Sequence, residues 1–207
     1  MKNIPEMEIK QITYQETKPF LLEVHYARRM PSISWAFGLF ENDIMVGCVT
    51  YGKPASHSLC IGLAGSENSS LVYELNRLVI ITDTLNSASF LVGRSLRLLP
   101  KPLYIVSYAD DGWGHKGYVY QATNWIYTGM TKPRTDIYSE SGHSRHHCGD
   151  ITKRQKRSGK HRYVYCLGNK KKMLLSLKYT IFPYPKGDSI HYDVSNPVPV
   201  DKELIKW

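Results

Sequence analysis

The chain has few cysteines, and they follow no pattern. Four occur in 207 residues, Cys48, Cys60, Cys148 and Cys166. Without paired spacing they read as reduced thiols, not as a disulfide framework or a CxxC metal site. Long apolar runs are missing as well. None approaches the roughly 20 residues that span a bilayer, and MKNIPEMEIK at the start carries no apolar signal segment. These absences set aside a membrane-spanning class and predict a cytoplasmic protein. No GxGxxG and no GxxxxGK followed by Ser or Thr occurs, so the usual nucleotide fingerprints are absent. Acidic residues run short in one place only. Residues 151–207 hold 4 Asp/Glu against 13 Lys/Arg, whereas residues 1–150 hold 14 of each; the last quarter carries the whole net charge of +9. A neutral body with a basic end suggests a polyanionic partner, although a solubilising tail has the same composition.

What is present suffices for a core: 42% of residues are hydrophobic and 12% aromatic, which predicts one domain, with or without an appendage. Residues 6–15 alternate like a strand, and residues 16–30 have helical spacing that Pro31 ends. SWAFGLFENDIMVGCVTYG, two apolar runs joined by Glu41-Asn42-Asp43, is the strongest hairpin signal. Pro54–Ser70, rich in Gly, Ser and Ala, reads as a mobile loop. Leu71–Ile81 reads as a buried strand, and Asp83–Leu99 as a helix capped by Thr82, Asp83 or Thr84. Leu103–Val106 starts another strand, followed by a polar break at Asp110–Gly114 and an amphipathic helix through Tyr118, Ala122, Trp125 and Ile126. Tyr127–Tyr138 returns to strand. From about residue 139 the regularity fades, and Pro183–Pro199 is expected to be extended. The pattern predicts a mixed α/β sheet flanked by helices, with residues 1–140 as the core and residues 141–207 as a basic C-terminal extension packed on it.

Several constellations could carry chemistry. In α/β sheets, loops at the carboxyl ends of strands hold ligands. Asp110-Asp111 with His115, Tyr118 and Tyr120 places carboxylate, imidazole and phenol near one such loop, as acid–base groups or hard metal ligands, or as an ordinary solvated turn. Glu74-Leu75-Asn76-Arg77 puts charge into a buried strand. Its alternation predicts Glu74 and Asn76 on one face and Arg77 on the other. Arg77 suits a phosphate or carboxylate, or a salt bridge to Glu74 or Asp83. The small residues Asn86, Ser87, Ala88 and Ser89 could aim a helix N-terminus at a phosphate. His25-Tyr26 ends the first helix. His143, His146, His147, Cys148 and Asp150 resemble part of a zinc site but have no completing motif. In Lys153–Tyr165 the cations Lys153, Arg154, Lys156, Arg157, Lys160 and Arg162 precede Tyr163 and Tyr165, a combination suited to phosphates and stacked bases.

Together, His25-Tyr26, the Leu75-Asn76-Arg77-Leu78-Val79 strand, the Asn86–Leu96 helix, the Ser107–Gly129 unit and Lys160-His161-Arg162-Tyr163 resemble the Mom family of phage DNA-modification proteins. The resemblance implies a GCN5-related N-acetyltransferase-like fold. It implies conversion of DNA adenine to its N6-carbamoylmethyl (acetamido) form, a modification that shields phage DNA from host restriction. It implies double-stranded DNA as partner, and an iron centre with His25, Tyr26, Asp110 and Tyr120 as ligands. Asp110, Tyr120, Arg77 and Ser95 are then the catalytic candidates. Arg77, Asn86, Ser87 and Ser95 are the donor-binding candidates, and Lys153, Arg154, Lys156, Arg157, Lys160, Arg162 and Tyr163 the DNA contacts. One departure stands out. The RxxGxG loop of ordinary acetyltransferases is missing between Val79 and Ser95, which argues against simple acetyl-CoA transfer; the donor candidates are acetyl-CoA and another activated compound. Reaching one base in a duplex requires its extrusion, with Tyr51, Trp113 or Tyr163 as stacking candidates. A non-catalytic DNA-binding protein, or an acetyltransferase acting on a small molecule or protein, are the alternatives. The assembly is open between monomer and homodimer.

Overall fold

The computed structural model describes residues 6–138 and 150–185. Strand β1 (Met7–Gln11) leads into α1 (Tyr14–Pro19), whose start is a capping box between Thr13 and Glu16. The helix widens after Pro19 into a π turn, Phe20–Val24, closed where the His25 N–H donates to the Phe20 carbonyl at 2.9 Å. The expected hairpin forms as β2 (Trp35–Glu41) and β3 (Ile44–Gly52). Asn42 and Asp43 at its tip both have positive φ, 49° and 65°, the backbone twist that two-residue hairpin turns require. Residues Pro54–Ser70 are not simply a loop: His57–Ala64 is helix α2, with Ser56 accepting from the Leu59 N–H and Cys60, Leu63 and Ala64 buried. Small-residue composition hid that apolar stripe.

Strand β4 (Val72–Ile80) is followed by α3 (Ser87–Leu98), whose N-cap is Asn86 and not Thr82–Thr84. After β5 (Leu103–Asp110) come the short α4 (Tyr118–Ala122), β6 (Ile126–Met130) and the pair β7 (Arg134–Tyr138) and β8 (Asp150–Arg157). Then follow β9 (Lys160–Leu167) and α5 (Lys170–Ser176). The main sheet runs β1-β2-β3-β4-β5-β9-β6, and β7 with β8 forms a separate two-stranded ladder. The basic stretch is therefore not an appendage throughout. Lys160–Leu167 lies between β5 and β6, so the sheet crosses the boundary expected at residue 140. Among the described residues, no helix is long and apolar enough to cross a membrane.

Alternation along the strands feeds both faces. Ile105, Ala109 and Tyr163 join Leu91, Val92 and Leu96 of α3, while Val106, Val164 and Cys166 join Leu63 of α2 and Leu174 of α5. Leu21, within the π turn, packs with Ile12, Cys48 and Val79 on the second side. The feature that positions the site is β4–β5. This parallel pair hydrogen-bonds only over Val72–Glu74 and Tyr104–Val106, although the strands run on to Ile80 and Asp110. Beyond that point they part.

Candidate active site

The opening between the parted strands is a cleft of about 820 Å³, within the range of ligand pockets. Glu74–Leu78 form one wall, Ser107–Ala109 the other, and His25, Tyr26 and residues 114–120 the rim. A bulge shapes the first wall: Thr50 pairs with Arg77 and Tyr51 with Leu75, so Asn76 is an extra residue in β4. Its side chain is tied down, accepting from the Thr50 hydroxyl at 2.6 Å and donating to the Ser32 carbonyl at 2.7 Å. The bulge breaks the expected alternation, and Glu74, Asn76 and Arg77 all reach the cleft.

On the second wall the Ser107 hydroxyl lies 2.8 Å from the Leu75 carbonyl and 2.7 Å from the Tyr120 hydroxyl. Ser107 is the donor in both contacts, its one proton shared between the Leu75 carbonyl and the Tyr120 hydroxyl, which carries its own. Burial pushes the Tyr120 hydroxyl up to about 12, so it keeps that proton at neutral pH. Gly117, just before α4, has φ +78°, and a Cβ there would run into the Tyr163 ring. Only glycine lets the rim loop lie against β9 in this way.

His25 is 9% exposed, and its Nδ1 accepts the Ala27 N–H at 3.0 Å. A neutral ring with an accepting Nδ1 must carry its proton on Nε2. Burial, then the charges of Arg77 and His115, lower its pKa to about 4. His25 is thus a neutral N–H donor at the cleft edge. The Tyr26 ring stacks on it at 4.3 Å, and burial, then the Asp110 charge, raise the Tyr26 hydroxyl. Arg77 donates to the Asn76 carbonyl at 2.6 Å and sends its charge towards both rings.

Asp110 pairs in register with Lys160, whose ammonium lies 2.8 Å from Oδ2. Its Oδ1 accepts the Gly112 N–H at 3.1 Å and the Ser158 hydroxyl. Burial pushes this carboxyl up, but the Lys160 hydrogen bond, the Ser158 hydroxyl and the Lys160 charge outweigh it and hold it below the ordinary carboxylate value. Asp111 is held by Lys116 at 2.5 Å and stands 3.4 Å from His161 Nε2. His161 is fully buried, with Tyr127 on its other nitrogen at 2.8 Å.

The structure corrects four groups of sequence expectations. The iron set does not fit as arranged. A ligating imidazole donates its second ring nitrogen to an acceptor, whereas His25 faces a donor there; Asp110 is committed to an ammonium, and Tyr120 to Ser107. Among the described residues no group of three or more His, Cys, Asp or Glu converges to hold a metal. The donor-binding set is not brought together either. Arg77 lines the cleft, whereas Ser95 is fully buried with its hydroxyl 2.7 Å from that of Tyr51. Ser87 is 2% exposed and donates to the Thr84 carbonyl at 2.6 Å. Asn86 edges a second pocket of about 550 Å³ among Arg94, Arg97 and Lys101. The turn before α3 carries the exposed Asp83, and Thr82 bonds the Glu41 carboxylate at 3.0 Å.

The basic stretch, spread over β8 and β9, divides by what its cations face. Lys160 and Arg157 line the cleft, and Arg154 and Lys156 are exposed on β8. Arg162 is committed to Thr128 (both bonds 2.9 Å) and to the Tyr179 ring, 3.6 Å from its centroid. Lys153 is placed through its backbone in β8. Finally, Tyr51 and Tyr163 are fully buried core residues, which leaves Trp113, 64% exposed, among the stacking candidates. The cluster His143, His146, His147 and Cys148 lies outside the described residues. Ser107, Arg29, Lys132 and Arg134 line the cleft without having been singled out. Only Ser107 left a signal, a hydroxyl following an apolar strand core.

A model of the Mom protein family matches residues 6–186. The chain belongs to the Mom family. The methylcarbamoylase Mom of Escherichia phage Mu is 25% identical over 176 residues, 82% of this chain and 71% of the relative. Among solved structures, one from Acinetobacter baylyi assigned as an acetyltransferase matches with a TM-score of 0.52 and 11% identity, over 81% of this chain and 95% of its own. An N-acetyltransferase from Staphylococcus aureus is similar at a TM-score of 0.49 and 13% identity, over 78% of this chain and 99% of its own. The fold of this Mom family member is that of the GCN5-related N-acetyltransferases, a mixed seven-stranded sheet flanked by helices.

Proposed function

We propose that the chain is a transferase that places a small carbamoyl-containing group on the N6 amine of adenine in DNA, shielding that DNA from restriction endonucleases. The observation that carries the reading is the cleft itself. It opens where β4 and β5 part, and among the described residues Arg29, Arg77, Lys132, Arg134 and Arg157 line it with a single carboxylate, Glu74. A polyanion is favoured there, and a cationic amine on a protein or polyamine is not. The relative in phage Mu is named a methylcarbamoylase, so methylcarbamoyl is the preferred product. Carbamoylmethyl has the same atoms but is joined through a methylene, which needs alkylation instead of acyl transfer.

The side chains suit transfer at a carbonyl. Adenine N6 attacks the carbonyl carbon of an activated donor, the bond to the leaving group breaks with its electron pair on that group, and the proton lost by N6 ends, through the site or solvent, on the departed group. The neutral Nε2–H of His25 is a donor suited to a developing oxyanion. The Tyr120 hydroxyl, which keeps its proton, suits the departing group. Arg77 suits an anionic part of donor or DNA. No step needs iron or a coenzyme A pyrophosphate.

The test is mass spectrometry of nucleosides from DNA of cells expressing the chain. A modified deoxyadenosine that releases methyl isocyanate on fragmentation supports the reading, and an isomer that does not release it identifies carbamoylmethyl. Unmodified DNA, with an acetylated small molecule or protein instead, would replace this reading with an ordinary acetyltransferase.

A further inference from the structure

We propose that Tyr26 and Trp113 form a stacking platform at the cleft mouth for one base extruded from the DNA strand. This deepens the reading above and rests on it. The two rings come from loops distant in sequence, one after the π turn and one after β5, yet their centroids meet at 5.5 Å and 38°. His25 stacks beneath Tyr26 at 29°, and His115 stands edge-on at 6.5 Å. Tyr26 is 49% exposed and Trp113 64% exposed, so the core gains little from either. Large aromatic faces kept in water at the edge of a cleft suit a flat ligand that covers them.

The surroundings specify which flat ligand. An extruded nucleotide brings a phosphate on each side of its base, and the cleft lining carries Arg29, Arg77, Lys132 and Arg134. Stacking is tolerant of base identity and cations bind the backbone, the division of labour seen in single-strand grooves. The rim is held for this purpose by charge pairs within it. Asp111 takes Lys116 at 2.5 Å on the loop that carries both Trp113 and His115.

The experiment uses the full chain and two labelled strands of abasic spacer units, one carrying a single central adenine and one carrying none. Fluorescence anisotropy is expected to show about tenfold tighter binding of the adenine strand, the scale of one aromatic–base stack, and tryptophan emission is expected to be quenched by it. Trp113→Leu should remove both the preference and the quench while leaving the salt dependence of binding unchanged. Tyr26→Leu should also remove the preference. Equal binding of the two strands by wild type overturns the platform, as does a preference that survives Trp113→Leu. Circular dichroism checks the fold, and if Tyr26→Leu unfolds, Trp113→Leu decides alone. An adenine preference without any modified nucleoside in cells defeats the proposed function and leaves the platform standing. Modified DNA without the preference does the reverse.

Discussion

Asp110 and Lys160 face each other across the β5–β9 ladder, register partners whose charged ends close to 2.8 Å. The pair joins the loop that carries the cleft rim to a strand added much later in the chain. Its carboxyl is held below its ordinary value, so its stabilisation is present above the unfolded-state value and lost as pH falls through the folded one. Lys160→Met should cost about 1–2 kcal/mol at neutral pH, reduced from the buried-pair range because Lys160 is a third exposed. It should also flatten the acid side of a melting-temperature curve. An unchanged acid limb would mean that Lys160 is not what holds Asp110.

His25 should be neutral and Nε2-protonated at neutral pH. Its folded pKa, about 4, lies below the ordinary histidine value of 6.5. The unfolded chain therefore binds more protons between those values, and stability contributed by His25 should rise with pH across that window and be absent below it. Nitrogen-15 spectra of the imidazole report tautomer and titration directly. Nε2 deprotonated at pH 7 would restore His25 as a ligand candidate.

Arg77→Ala should abolish transfer and leave circular dichroism and melting temperature near wild type. The guanidinium lines the cleft, where an anionic part of donor or DNA would meet it. Arg77→Lys keeps the charge but not the planar fork and should restore only part of the activity. An insoluble Arg77→Ala protein would make the residue a folding element.

Ser95→Ala should do the opposite. It leaves the fully buried Tyr51 hydroxyl without its partner, at a cost of about 1–3 kcal/mol in urea unfolding, and transfer by the folded protein should persist. These two variants separate what could be read in the sequence from what could not. The strand before α3, the hairpin at Asn42-Asp43 and the Asp110 loop were all legible, because period and turn chemistry are local. Arg77 was legible as a charge in an apolar strand. Ser95 was not, since small hydroxyl residues look alike whether they face a phosphate or a tyrosine in the core. Nor was β9: Lys160-His161-Arg162-Tyr163 reads as a basic run until Asp110, Tyr127, Thr128 and Lys116 supply partners from elsewhere in the chain.

The cations of the basic stretch should divide by role in the same way. Neutralising exposed Arg154 and Lys156 should lower the slope of log affinity against log salt by about two, one for each phosphate no longer neutralised. Arg162→Met should leave the slope alone and lower the melting temperature, since its guanidinium bonds Thr128 twice and covers Tyr179.

The late arrival of β9 between β5 and β6 has a consequence for how the molecule is made. While residues 1–150 are emerging from a ribosome, β5 has only β4 beside it, over three residues, and β6 has no strand to join the sheet through. The ladder that completes the cleft links Leu103–Asp110 to Lys160–Leu167, and such long-range antiparallel closure is slow compared with hairpin formation. Until it closes, Trp125 and Tyr127 lack the β9 cover they pack against. The half of the protein that bears the cleft is thus among the last parts to become native. A chain cut before residue 160 should be captured by chaperones or aggregate and should not survive as a smaller domain.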